Sequence, residues 1–184
     1  MNLINCFKIF SISIIHFVCA IVCVAQTNYY EVDKTFYKNG YTYQCDIHEG
    51  SKMVTLYNKE NQYTYVDQII NNGTQPPMEN MPRCIEKDNW TKRKCYEIVN
   101  NAFSETEKQR MKGHCIQVRM YISPTTGKIT EVDYHFISLS PCATTPISVF
   151  RAIEVELKNN VWFTPTDYGK TLNYIFLGWN YEFE

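Results

Sequence analysis

The sequence predicts an α+β fold: an N-terminal antiparallel β-meander, then a helical segment, then a β-hairpin–helix–strand unit. Three observations carry that reading. Period-two alternation recurs in short runs such as Tyr41-Thr-Tyr43-Gln-Cys45-Asp-Ile47 and Ile116-Gln-Val118-Arg-Met120-Tyr-Ile122. Apolar residues at spacings of three and four mark two other stretches, one through Ile98 and one through Ile153. Among 184 residues, 14 Tyr stand beside 7 Gly and 7 Pro, a composition suited to half-buried pleated strands. At 45% hydrophobic and 20% charged, the chain holds enough apolar material for a core and too much for disorder. A formal net charge of −1 argues against a nucleic-acid binder, which carries a basic face.

Residues 1–25 predict a signal peptide. Lys8 is the one charged residue ahead of an apolar run, Ile9 to Ala25, which ends Cys23-Val24-Ala25 with small residues at −3 and −1 before Gln26. That order is a charged n-region, an apolar h-region and a cleavage site. A retained anchor is the alternative, since the run reaches the short edge of the ~17–25 residues a spanning helix needs. The expectation is a periplasmic or secreted protein of the bacterial envelope, with no stable membrane span once the segment is cleaved. Cys45, Cys84, Cys95, Cys115 and Cys142 remain after cleavage, and an oxidising compartment lets thiols persist as disulfides. Five is odd, so at least one stays outside any intrachain pair. Cys84 and Cys95, flanking a short basic segment, are the disulfide candidates.

Residues 26–70 predict the meander. Its strands are Tyr41 to Ile47, Met53 to Tyr57 and Gln62 to Val66, with turns at His48-Glu49-Gly50-Ser51 and Asn58-Lys59-Glu60-Asn61. Tyr29 to Tyr37 adds a further candidate strand. So short a meander cannot hold a core alone and must pack on the rest. Residues 71–88 are polar, with three Pro and one Gly in Asn71 to Pro82, and predict a linker. Residues 89–184 form the αβ unit. Asn89 is placed to cap a helix through Cys95, Ile98, Val99 and Ala102. Ser104-Glu-Thr-Glu107 is a capping box for a short second helix ending at Lys112-Gly113.

A hairpin follows, Ile116 to Ile122 turning at Ser123-Pro124-Thr-Thr-Gly127 and returning from Lys128 through Phe136. Pro141 breaks it, and Thr145-Pro146 opens a helix over Ile147 to Asn160 with Val149, Phe150, Ile153 and Leu157 on its apolar stripe. Trp162 to Pro165 ends that helix. Leu172 to Phe183 is a long aromatic strand, with Gly178 expected at a bulge or a close backbone approach.

The order hairpin, helix, Trp162-x-x-Pro165, Gly169 and a closing strand ending Tyr181-Glu-Phe183 resembles the C-terminal domain of TonB-type proteins over residues about 104–183. The Tyr-Pro pair of that family and its long Pro-rich spacer are missing. The resemblance implies a small sheet with helices on one face, and capture of a partner segment by strand addition. The mature layout, with Asn39-Gly-Tyr-Thr-Tyr-Gln-Cys45 and Val54-Thr-Leu-Tyr-Asn-Lys-Glu-Asn61, also resembles secreted proteins of gut Bacteroidetes. That likeness implies an envelope location and brings no activity.

No catalytic residue, metal ligand set or cofactor emerges. His48, His114 and His135 lie at no ligand spacing, and neither Gly-x-Ser-x-Gly nor a phosphate-cradling Gly-rich loop is present. Glu105, Glu107, Glu154 and Glu156 fit solvated helix faces, with Glu154 and Lys158 a favourable i,i+4 pair. Lys92-Arg93-Lys94 fits exposed positions early in a helix. Eight Tyr crowd the segment from Tyr29 to Tyr65, material for sheet faces and for contact surfaces.

The functional expectation is an exported, non-catalytic binding or adaptor module that uses a sheet edge or an aromatic surface. The contact candidates are Tyr174, Phe176, Trp179 and Tyr181, and the partner is a protein or peptide taken by strand addition. The alternative is a secreted hydrolase or thiol enzyme whose site is assembled only in three dimensions. Because the meander needs a dock, the sequence reading has it covering the final strand, which would bury Trp179 and Tyr181. Oligomeric state is open.

Overall fold

A computed structural model describes residues 27–77 and 79–184. The predicted signal peptide lies outside the described residues. Six strands and three helices follow in order: β1 Lys34–Lys38, β2 Tyr41–His48, β3 Met53–Asn58, α1 Thr91–Asn101, α2 Glu105–Met111, β4 Cys115–Ile122, β5 Ile129–Ile137, α3 Ile147–Asn160 and β6 Ile175–Glu182. All six strands join one antiparallel sheet in the order β1-β2-β3-β5-β4-β6. The α+β architecture and its N-terminal meander are as the alternation predicts. Among the described residues no helix is long and apolar enough to cross a membrane.

The meander contains β1, not the predicted strand over Gln62 to Val66. Asn39-Gly40 closes the β1–β2 hairpin, with Gly40 at a φ of +85° that favours glycine. Residues 62–66 instead cross the sheet's face. The Gln62 and Tyr63 amides donate to the Glu131 carboxylate, and the Tyr63 ring packs on Tyr121 and Tyr174. Tyrosine alternation there reflects contacts to the sheet below, not a ladder beside it.

One face of the sheet carries Val54, Leu56, Val118, Met120, Tyr134 and Phe136, all buried. α3 lies over it: the Phe150 ring meets Tyr134 at 4.8 Å and stacks on Phe136 at 5.5 Å. Burying such side chains is worth about 1.5–3 kcal/mol each, which makes this layer the main source of stability. α1 packs against α3 on the same side. Its amide cap comes from Asp88, which accepts from Trp90 and Thr91, one residue before the predicted Asn89. The capping box at α2 forms as predicted. α3 starts at Ile147, directly after Pro146, and the Thr145 hydroxyl turns to the Met111 sulfur instead of capping.

Glu154 overturns its expected solvation. It is fully buried on α3, accepting from the Tyr43 hydroxyl, from Arg151 at 2.9 Å and from Lys158 at 3.4 Å. The polar residue tethers the helix to β2 where apolar packing alone would let it slide.

β6 is shorter than the predicted Leu172 to Phe183. Leu172 makes an isolated bridge to Ile70, and the ladder with β4 starts at Ile175. Its register is unbroken through Gly178, so no bulge forms there. The predicted Cys84–Cys95 disulfide is not formed, and all five described cysteines are free thiols. The two lie in different settings: Cys95 points into the core from α1, while Cys84 sits half-buried in the loop ahead of it, its carbonyl against Gly169.

Candidate functional site

β6 ends the sheet. It pairs with β4 on one side and, among the described residues, with no strand on the other. The meander docks through β3 onto β5, away from β6, so the expected cover over the final strand is absent among the described residues. The physical reason is the hairpin: β4 and β5 offer two flanks, and β3 takes the β5 flank while β6 takes the β4 flank.

The ladder fixes which backbone groups look outward. Phe183 N–H donates to the His114 carbonyl at 3.0 Å, so its polar groups face the β4 side. Antiparallel pairing alternates residue by residue. Tyr181, Trp179, Leu177 and Ile175 therefore also pair inward, and Phe176, Gly178, Asn180 and Glu182 direct N–H and C=O to the open edge. Of these, the Asn180 carbonyl accepts a long 3.5 Å bond from the Tyr96 hydroxyl. At the start of the strand the edge is closed by Gln68, whose amide donates to the Tyr174 carbonyl at 2.8 Å.

Beside the open edge runs a groove of about 870 Å³. α1 supplies Arg93, Tyr96, Glu97 and Asn100, α2 supplies Glu105 and Lys108, and residues 180–184 form the strand wall. The polar face of α1 made this wall, and the sequence reading missed all six helical residues. The Lys92-Arg93-Lys94 run was the available signal. In the structure Lys92 covers the Tyr96 ring, Arg93 lines the groove and Lys94 pairs with Glu97 at 3.3 Å.

The four contact candidates divide. Trp179 and Tyr181 sit on the helix side beside the groove, packed around Tyr96 at 6.0 Å each. Tyr181 donates to the Asn100 side chain at 3.0 Å. Phe176 projects from the opposite face and is 44% exposed. Tyr174 precedes the strand, buried, its hydroxyl given to the Val66 carbonyl at 2.5 Å.

The helix-free face is the other candidate surface. Arg119 and Asp133 stand opposite each other on β4 and β5 and form a two-point ion pair at 2.5 and 2.8 Å. Tyr121 donates to the same carboxylate at 2.9 Å, and Tyr57 and Tyr65 both donate to Asp46. Burial pushes the Tyr57 hydroxyl up to about 12, helped by the Asp46 carboxylate. His135 neighbours this network on β5. Burial first, then the Arg119 charge, pushes it down to about 4, so the ring is neutral near pH 7. The hydroxyls of Tyr57, Tyr65 and Tyr121 on this face are thus already bonded within the molecule.

Thiol chemistry finds little support in the buried cysteines. Burial pushes Cys45 and Cys95 up to about 12 and Cys142 up to about 11, and raises Cys84 as well. A nucleophilic cysteine needs the opposite shift.

The model of the family described as "Domain of unknown function (DUF5043)" matches residues 26–179. A crystal structure of a DUF5043 family protein from Bacteroides uniformis is similar to this chain at 38% identity, with a TM-score of 0.81. The match covers 85% of this chain and 94% of that one. No curated protein matches.

Proposed function

The chain belongs to the DUF5043 family, and from that premise we propose that it is an exported, non-catalytic binding module that captures an extended peptide segment by adding it to β6. The observation that carries the reading is the outer edge of β6, where four residues direct backbone groups away from the sheet beside a groove. An open edge is a template for an incoming strand, and a groove alongside it gives the bound side chains somewhere to lie. The hairpin–helix–strand order from β4 to β6, with its likeness to TonB-type C-terminal domains, supports the same mode. The signal-like start of the sequence supports action in the periplasm or outside the cell.

The test is selection of random displayed peptides on the purified protein, repeated on Phe176→Pro. Phe176 directs its N–H outward, so proline removes an edge donor and leaves the β4 ladder intact. Ile175→Pro, by contrast, would break the β4 ladder itself. Peptides retained by the native protein and lost by Phe176→Pro support strand addition. Peptides retained equally by both, or no selectable peptide, contradict it.

A further inference from the structure

Next to the polar groove lies a second, smaller recess of about 290 Å³. Its walls are apolar: Ile85 from the preceding loop, Cys95 from α1, Met120 from β4, Phe163 after α3, and Leu177 and Trp179 from β6. Gly178 lies between those two strand residues, and Tyr96 borders both recesses. A cavity of ~150 Å³ already accommodates a benzene ring, so this one has room for an aliphatic or aromatic side chain. The indole N–H of Trp179 is buried and has no acceptor among the described residues. A buried donor left this way is unfavourable, and a carbonyl acceptor brought to it would relieve that.

Position along the strand gives the spacing. Residues 177–179 line the recess and residues 180–184 line the groove, so the two follow one another along β6. Strand residues two apart share a face and lie about 7 Å from each other. The charge balance of the groove gives the second chemistry. Two cationic residues, Arg93 and Lys108, and four acidic ones, Glu97, Glu105, Glu182 and Glu184, line it. Glu105 already holds Lys108 at 2.8 Å, and Lys94 holds Glu97. Outside those pairs, Arg93 stands unpaired among the described residues beside Glu182 and Glu184, so the groove lining keeps a negative balance that favours a cation.

We infer that the segment captured along β6 comes from another protein and carries an apolar anchor residue in the recess and, two residues away on the same face, a Lys or Arg over the groove. This rests on the strand-addition reading and adds the partner's side-chain chemistry to it. The recess fixes register, since a one-residue slip would turn the anchor to the opposite face.

The experiment sequences the peptides selected on the native protein and measures their affinity for variants. Enrichment of an apolar–x–basic pattern supports the inference. So does a loss of about tenfold or more on Leu177→Phe or Ile85→Phe, two independent ways to fill the recess. Circular dichroism checks that each variant is folded, and two filling sites keep the test decisive if one is not. Peptides that need the native Phe176 yet show no such pattern overturn the inference and leave strand addition standing. Peptides with the pattern but indifferent to both filling variants also overturn it. Sedimentation showing a dimer that Phe176→Pro dissociates would assign the edge to a second copy of the chain and overturn it too. Failure to select any peptide removes the strand-addition reading and this inference together.

Discussion

The two ends of the sheet are built differently, and the difference carries the functional argument. β1 is five residues long, Lys-Thr-Phe-Tyr-Lys, with a lysine at each end. The Lys59 amide donates to the Thr42 carbonyl, so Thr42 faces the β3 side and its neighbours Tyr41 and Tyr43 face β1. By alternation only Thr35 and Tyr37 direct backbone groups outward from β1. β6 is eight residues, Ile-Phe-Leu-Gly-Trp-Asn-Tyr-Glu, uncharged until its last position and with four outward residues. Short length and lysine are the usual means by which a protein blunts an exposed edge. β1 has both and β6 has neither.

The comparison can be broken from either side. The effect on capture comes first, from moving the device of β1 onto β6. Asn180→Lys places a lysine in mid-edge and should lower peptide capture by well over tenfold while thermal stability stays nearly unchanged, as binding and melting curves would show. Unchanged capture would mean that the edge is not the docking line.

Next comes the support behind the edge. Arg119→Met leaves the fully buried Asp133 carboxylate without its ion-pair partner on β4, the strand that holds β6. The expected cost is about 3–5 kcal/mol of unfolding free energy in urea. A loss below about 1 kcal/mol would show the pair to be dispensable.

A smaller effect follows from His135. Burial and then the Arg119 charge push it down to about 4 in the folded chain, below the ordinary 6.5, so the unfolded chain binds the extra proton between those limits. Stability from keeping the ring neutral is therefore fully present above pH 6.5 and is lost as pH falls towards 4. Solvent reaches part of the ring, which trims the contribution to on the order of 2 kcal/mol. The stability gap between the native protein and His135→Gln should narrow across that window in urea titrations. A constant gap would reject the assignment.

The smallest effect tests the lysines of β1. Replacing Lys34 and Lys38 with Thr should change stability by under about 0.5 kcal/mol yet raise aggregation measured by light scattering. No rise would mean that short length alone guards this edge.

Much of this layout was legible in the sequence, and the failures have specific causes. Alternation found β2, β3, β4 and β5, and a Ser–Glu capping box found α2, because those signals are local. The same alternation placed a strand at Gln62 to Val66, where Tyr63 and Tyr65 alternate for contacts across the sheet's face. Glu154 looked solvated because a helix stripe does not reveal a Tyr43 hydroxyl arriving from β2. Sheet order was the decisive unknown. Whether β3 joins β5 or β6 depends on long-range packing, and it alone decides if the final strand is covered. The groove was missed for the same reason, since Arg93, Glu97 and Lys108 come to line one groove with the end of β6 only once α1 and α2 are folded.

Amide hydrogen exchange along β6 tests the open edge most directly. Alternation is expected in the isolated protein: Leu177, Trp179 and Tyr181 amides protected by β4, and Phe176, Gly178 and Asn180 amides exchanging rapidly. Uniform protection of all six would contradict it, because the outer edge would then already be paired.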